Sequence, residues 1–377
     1  THLTRVVEIG HIVAGPTAGL IFADLGYEVI KVEKPGEGDI ARRLTGTSSG
    51  AFLFYNRNKK SLSLDFTKDA GREIFLKLIK ESDVLIDNLG YGSLAKAGLS
   101  YDFLSTINPK IVYLSLKGYA SGPYEGRKSL DYPIEVHSGI AYMNGLEGRP
   151  MRIGASIVDM TSAMFGVIWC LKALMERETT GKGSYIDIGM FETAAFIMGQ
   201  HIVSYELTGK PLRPLNEEGF AWAIYDFFRT KDNSDIFIAV TTDKQWEEFC
   251  RGFQLGVCSE ERFSKNEMRY RHRPELLKIV QNRLSTMTFE DVENLLTKLN
   301  IAHATLNKPW DLLNDPHLKS KLASVDFDNR KIYMPTVPGS ENRDGTAPGL
   351  GSDSEEILST LGYSVTEIEN FKKMKVV

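Results

Sequence analysis

At 377 residues the chain exceeds the usual single-domain size, and 45 Lys and Arg against 49 Asp and Glu leave no basic excess to hold a nucleic acid. Hydrophobic residues make up 42%, enough for a sizeable core. Three cysteines, Cys170, Cys250 and Cys258, lack CxxC or paired spacing, which argues against a disulfide framework and for a reducing compartment. Arg5, Glu8 and His11 interrupt the first apolar residues, so no secretory signal is expected. The most apolar stretch, 163–171, falls short of the roughly 20 residues that span a bilayer. The expectation is a soluble cytoplasmic protein with neither membrane nor nucleic acid as partner.

Taken in order, residues 5–9 read as a short buried strand and 10–16 as a loop, with Pro16 well placed in the first turn of a helix over 17–25. Gly26 ends that helix, and 27–32 is a second strand followed by Glu33. This βαβ unit has the outline of a dinucleotide fold, yet Gly10 and Gly15 give GxxxxG followed by Pro16. That is neither GxGxxG nor a P-loop. The fold is kept and the NAD reading is dropped. A Gly- and Pro-rich loop over 34–43 follows, then a basic strand over 56–65, a helix over 70–81 and apolar strands over 84–87 and 111–116. Strands alternating with helices predict a doubly wound, largely parallel sheet. Lys34, Arg42, Arg57, Lys59, Lys60, Lys96 and Lys117 sit in loops or strand ends from which they could converge on a phosphorylated ligand.

Residues 152–166 carry a short stretch of strand character ending at Asp159, then a buried helix of small residues, with Met164, Val167, Ile168, Leu171 and Leu174 at helical spacing. Asp159 is the sole acid between Glu147 and Glu176. Asp is a favoured N-cap, so capping accounts for it as readily as catalysis does. A strand over 184–191 and a helix over 192–207 close the first block. Two prolines near 209–214 suggest a linker. Beyond it, strands over 225–229 and 235–240 and helices over 244–253, 273–285 and 288–299 form a smaller α/β domain. A late strand over 332–337 and a helix over 352–361 end the chain. The fold expected is therefore a Rossmann-like doubly wound parallel sheet in a large domain, a smaller α/β domain, and a C-terminal segment returning to the large one. The domain bounds are 1–207 for the large domain, 208–222 as linker, 223–304 for the small domain, 305–330 as linker and 331–377 for the return.

Seven histidines are scattered without HxH or HxxxH pairs, so no metal site is expected. No GxSxG elbow is present and no Cys–His pairing follows from spacing.

Several stretches together resemble the family III CoA-transferases, the group of formyl-CoA:oxalate and carnitine CoA-transferases whose fold also hosts α-methylacyl-CoA racemases. They are Val7-Glu-Ile-Gly-His-Ile-Val-Ala-Gly-Pro16, Asp24-Leu-Gly-Tyr-Glu-Val-Ile-Lys-Val-Glu-Lys-Pro35, Gly38-Asp39, Asn56-Arg-Asn-Lys-Lys-Ser-Leu-Ser-Leu-Asp65 and Val84-Leu-Ile-Asp-Asn88. Gly118-Tyr-Ala-Ser-Gly-Pro123, Thr180-Gly-Lys-Gly-Ser-Tyr-Ile-Asp187, Asn314-Asp-Pro316 and Ala347-Pro-Gly-Leu-Gly351 before Leu358-Ser-Thr-Leu-Gly362 continue the pattern to the C-terminus. The resemblance implies that Asp159 is the catalytic residue, passing an acyl group and then CoA through aspartyl anhydride and aspartyl-CoA thioester intermediates. It implies no tightly bound cofactor, coenzyme A entering as a moiety of the acyl-CoA substrate, with a small carboxylic acid as acceptor. It also implies an interlocked homodimer.

CoA-contact positions carried over by resemblance are Val13 and Ala14 along the pantetheine, with His11 nearby, and Lys34 toward the nucleotide phosphates. Leu64, Asn88 and Lys96 match further contacts, Lys96 replacing a commoner arginine, and Asp131 and Tyr132 fall in a segment that closes over the CoA. Many relatives have Asn-Phe-Arg-Pro-Gly where this chain has Asn88-Leu-Gly-Tyr-Gly92, so one arginine is missing. The racemases place a histidine where this chain has Leu130 and a glutamate near Arg229. Racemisation needs an acid and a base on opposite faces of the α-carbon, so Leu130 favours transfer. A racemase-type isomerase and an inactive acyl-CoA-binding protein are the alternatives.

Overall fold

The computed structural model describes residues 4–219, 221–341 and 344–377. The chain up to Pro214 and from Pro316 onward forms one compact unit, and Leu215–Asp315 forms another. In the first unit six strands alternate with helices: β1 (Arg5–Ile9), α1 (Ala14–Asp24), β2 (Glu28–Glu33), α2 (Ala51–Tyr55), β3 (Lys60–Ser63), α3 (Asp69–Lys80) and β4 (Val84–Asp87). Then come α4 (Ser93–Lys96), α5 (Tyr101–Ile107), β5 (Val112–Lys117), α6 (Asp131–Ser138), α7 (Ile140–Asn144), α8 (Ile157–Thr180), β6 (Ser184–Gly189), α9 (Met190–Ile197) and α10 (Gly199–Thr208). All six strands pair in parallel in the order β3-β2-β1-β4-β5-β6. This is the doubly wound, Rossmann-like sheet that the alternation predicts.

Successive strand residues point to opposite faces, and here both faces are covered, which is why Val6-Val7 in β1, Val84-Leu-Ile86 in β4 and Val112-Tyr-Leu114 in β5 are apolar at consecutive positions. Val7, Ile30, Leu62, Leu85 and Tyr113 face one layer with Ile74, Phe75 and Leu78 of α3. Val6, Val29, Ile86, Val112 and Leu114 face the other, with Phe22 of α1 and Ala163, Val167 and Cys170 of α8. The C-terminal return completes the first layer: Ile357, Leu358, Leu361 and Ile368 lie within it. The backbone N–H of Ser61 donates to Asp353 at 2.8 Å, and that of Asp65 to the Val376 carbonyl at 2.8 Å. A small sheet of β10 (Leu322–Phe327), β11 (Arg330–Pro335) and β12 (Asp344–Gly345) belongs to this same unit. For continuity of numbering, β7 (Ile224–Arg229), β8 (Asp235–Val240) and β9 (Ala302–Thr305) are the antiparallel sheet of the second unit. Its core gathers Trp246, Phe249, Phe263, Leu276, Val280 and Leu296.

Several local expectations change. Cys250 and Cys258 form a disulfide, because the chain turns back after the helix Asp243–Gly252 and brings their Cα atoms to 5.6 Å. The helix expected over 192–207 is two helices divided at Met198. A further terminal helix, Val365–Lys373, starts with a capping box between Ser364 and Glu367 that the sequence reading passed over. No strand lies between α7 and Asp159. It is the third residue of α8, whose 24 residues have the length and composition of a membrane span, against the short apolar run expected. Its inner face, however, packs on the sheet as a core helix. Gly166 makes that approach possible: a Cβ there would stand 2.9 and 3.0 Å from the two Leu114 methyls.

Candidate active site

In an open α/β sheet the crevice at the carboxyl ends of the strands, where strand order reverses, is the place for a ligand. Here the order reverses between β1 and β4. A cleft of about 830 Å³ opens there, lined by His11, Ile12, Val13 and Ala14 after β1, Asn88 to Tyr91 after β4, and Leu116 to Gly118 at the end of β5. Ser93 and Lys96 of α4, Glu125 to Asp131, Pro133, Met190 and Asp159 complete the wall. A smaller hollow of about 340 Å³ shares Tyr91, Lys117 and Glu125 with this cleft but lacks Asp159.

The loop after β1 is held by buried charge. Lys31 donates to Glu8 at 2.7 Å and to the Gly10 carbonyl at 2.9 Å, and lies 2.9 Å from Asp39. Lys59 donates to the other Glu8 oxygen at 2.6 Å, to the Pro16 carbonyl at 2.8 Å and to Asn56 at 3.0 Å. Asp39 accepts the N–H of Ile12 at 3.1 Å and that of Ala41 at 2.9 Å. Ile12 is thereby held at φ +65°, a left-handed conformation that a β-branched residue rarely takes. Close packing fixes the other wall: a Cβ on Gly15 would stand 2.7 Å from that of Asn88.

Asp159 is half-buried at the start of α8. It is not the helix cap. The carboxylate of Asp131, at the start of α6, accepts the N–H groups of Val158 at 2.9 Å and Asp159 at 3.0 Å, so the cap comes from 28 residues upstream. Burial, then the negative charge of Asp131, push the Asp159 carboxyl up to about 7, and Arg152 partly offsets them. Tyr55, at the end of α2, faces the same two acids, and burial followed by their charges raises its phenol.

Of the residues singled out from sequence, the cleft brings together His11, Val13, Ala14, Asn88, Lys96, Asp131 and Asp159. Lys34 is exposed and paired with Glu37, Leu64 is buried in the core, and Tyr132 lies on the surface 5.9 Å from the Arg152 guanidinium; none of the three lines the cleft. The expected convergence of seven cations does not occur. Arg42 is paired with Glu33, Arg57 with Asp24, Lys59 with Glu8, Lys60 with Glu28 and Glu356, and Lys117 with Asp87. Arg127 and Lys128, which the sequence reading passed over, line the cleft beside Lys96 and Lys117. Their signal was the run Arg127-Lys128 just ahead of Asp131. Gly139 adopts φ +90° between α6 and α7 and is not in the cleft wall. Among the described residues no group of three or more His, Cys, Asp or Glu could hold a metal ion.

A half-buried carboxylate thus shares a cleft with Lys96, Arg127 and Lys128 at the switch point of a Rossmann-like α/β sheet, the place where this class of enzyme binds its ligand. Residues 4–354 match the family described as CoA-transferase family III. The chain is 30% identical, over 99% of its length and 91% of the relative's, to the succinyl-CoA–L-malate CoA-transferase alpha subunit of Chloroflexus aurantiacus. It is 27% identical to the succinate–glutarate CoA-transferase of Agrobacterium fabrum, over 95% of this chain and 94% of that one. A crystal structure of a CAIB/BAIF family protein from Brucella suis is similar at TM-score 0.84 and 29% identity, covering 95% of this chain and 98% of the other. The chain belongs to CoA-transferase family III, and it is a CoA-transferase.

Proposed function

We propose that the protein moves CoA from an acyl-CoA thioester to a small carboxylic acid, with Asp159 as the nucleophile. The observation that carries this is a half-buried carboxylate lining a large cleft with its backbone N–H fixed by Asp131. An Asp159 oxygen adds to the thioester carbonyl and expels CoA thiolate, leaving an aspartyl-acyl anhydride. The thiolate attacks the aspartyl carbonyl, releasing the donor acid and leaving an aspartyl-CoA thioester. The acceptor carboxylate attacks that thioester and frees the thiolate, which takes the acceptor's acyl group and returns Asp159 as a carboxylate. Covalent catalysis divides one hard transfer into easier steps, and a carboxylate of raised pKa is the more nucleophilic one once ionised.

CoA lies along His11, Val13, Ala14 and Asn88 in this reading, with Lys96 near its phosphates. Lys34, Leu64, Asp131 and Tyr132 are the remaining contact positions implied by resemblance; their placement makes Asp131 a cleft residue and leaves the other three outside the cleft wall. Coenzyme A is a substrate moiety, with no tightly bound cofactor. The relatives named above handle succinyl-CoA, succinate, malate and glutarate, which supports succinyl-CoA as donor and a dicarboxylic acid as acceptor.

An interlocked homodimer is also proposed, with the chain passing around the partner where it joins the two units, near Pro214 and near Asp315. Its support is an uncovered apolar face on α8 to α10: Ile168 is 58% exposed, Met175 75%, Phe196 71% and Leu207 81%. Monomeric proteins seldom leave such a face open. Sedimentation at two concentrations reads the assembly, a monomer at both refuting it. Coupled assays of succinyl-CoA against a panel of dicarboxylic acids read the transfer, and hydroxylamine traps the enzyme-bound acyl group. Full activity in Asp159→Ala would refute the nucleophile.

A further inference from the structure

Behind Asp159 lies a second carboxyl group that the transfer chemistry does not use. Asp131 and Glu135 are four residues apart on α6, hence on one face of the helix, and both are buried, at 5% and 0% exposure. One oxygen of each is satisfied: Asp131 Oδ2 by the amides of Val158 and Asp159, and Glu135 Oε2 by the amide of Ile153 at 2.9 Å. The other oxygen of each, Asp131 Oδ1 and Glu135 Oε1, is buried with no hydrogen-bond partner. Arg152 is the nearest cation, 3.6 Å from the first and 3.9 Å from the second, too far for a hydrogen bond to either, and its side chain is 47% exposed.

Two facing carboxylates in a buried site cannot both stay ionised. One proton between Oε1 and Oδ1 satisfies both orphaned oxygens. Two helix amides hold Asp131 Oδ2 and a single amide holds Glu135 Oε2, which places the proton on Glu135. Burial, then the hydrogen bond to Asp131, raise the Glu135 carboxyl to about 7. We propose that Glu135 is a positioning residue for Asp159: carrying a proton, it donates to Asp131 and keeps that carboxylate seated on the first amides of α8. This rests on the reading of Asp159 as nucleophile. Losing that proton sets a second negative charge against Asp131, loosens its grip on the Asp159 amide and raises the Asp159 carboxyl further.

The other groups packed around α6 are accounted for. On α6 itself His137 pairs with Tyr119 at 3.0 Å. On α7 Tyr142 donates to the Leu212 carbonyl, and on α9 Glu192 accepts the N–H of Ala120. From α8 comes Asp159, from α2 Tyr55, and from the segment before α8 Arg152. Of these, Asp131, Asp159 and Arg152 share the site with Glu135.

The test compares wild type, Glu135→Gln, Glu135→Leu and Asp159→Asn. Glutamine offers Ile153 a carbonyl and Asp131 an N–H, so it copies the protonated acid at every pH. At about pH 6, kcat of Glu135→Gln stays within about 3-fold of wild type, and at about pH 9 it exceeds wild type by about 10-fold, with KM for acyl-CoA moved less than about 2-fold. Glu135→Leu loses about 10-fold or more at both pH values. Without substrate, infrared spectra of Asp159→Asn at about pH 6 carry a protonated-carboxyl band that Glu135→Gln removes. Superimposable pH profiles for wild type and Glu135→Gln, a leucine variant as active as the glutamine one, or a missing band would overturn the proposal. Should Asp159→Asn keep full activity while the band persists, the nucleophile reading falls and the shared proton stands.

Discussion

The Asp131 carboxylate accepts the backbone N–H of Asp159 at 3.0 Å and of Val158 at 2.9 Å, joining the start of α6 to the start of α8. A side-chain cap of this kind contributes about 1 kcal/mol, and here it also fixes the residue that lines the cleft. Asp131→Ala is expected to lower stability by about 1–2 kcal/mol and kcat by on the order of 10- to 100-fold. Asp131→Asn keeps an oxygen for the amides and loses less. Thermal unfolding and steady-state kinetics measure the two effects.

Asp159 itself costs stability. Its carboxyl is held up to about 7 in the fold, so between about pH 4 and 7 the folded chain binds more protons than the unfolded one and stability falls as pH rises. Asp159→Asn removes that cost: its unfolding free energy exceeds wild type by on the order of 1–2 kcal/mol at about pH 8 and matches it near pH 3. Denaturant titrations at the two pH values decide it. A variant no more stable at the higher pH contradicts the burial of this charge.

The network under the cleft loop should be costly to break. Burial lowers the Lys59 ammonium to about 8 despite Glu8, so this cation is held by its partners at a solvation cost. Lys59→Met leaves a Glu8 oxygen and the Pro16 carbonyl without their donor and is predicted to destabilise the protein by about 3 kcal/mol. Equilibrium unfolding in urea measures it.

Gly15→Ala drives a methyl group to within 2.7 Å of Asn88. The cleft wall must open, and KM for acyl-CoA is expected to rise about 5- to 50-fold with a loss of about 1–3 kcal/mol in stability. An unchanged KM would show that the two walls do not need this contact.

Thiol titration of the denatured, unreduced chain is expected to count one cysteine, Cys170, and three after reduction.

The parallel sheet was legible because strands covered on both faces must be apolar at consecutive positions, as in Val84-Leu-Ile86. The loop from Gly10 to Pro16 excluded a dinucleotide site by its glycine spacing, and His11, Val13 and Ala14 were singled out there through the family resemblance alone. Charge was not. Lys59, Lys60 and Arg57 look like surface cations in sequence, and only the sheet brings Glu8, Glu28 and Asp24 to them. The cap on α8 was assigned to Asp159 because a local reading sees the nearest acid, whereas the acid in use comes from another helix. Glu135 was passed over for the same reason. The break at Met198 is marked by Gly199, a poor helix former that a reading of one helix over 192–207 passed over, and the seven residues between Cys250 and Cys258 match no familiar spacing.

Gly166 sits two turns, about 10 Å, along α8 from Asp159 and does not itself line the cleft. Yet the helix is a stiff rod resting on Leu114 at that one bare position. A methyl group added there would press on the Leu114 and Leu116 methyls, so the seat of α8, and with it Asp159 at its start, depends on that gap. The placement of Asp159 in the cleft wall is therefore tied to a residue without a side chain, two turns away on the sheet side of the helix.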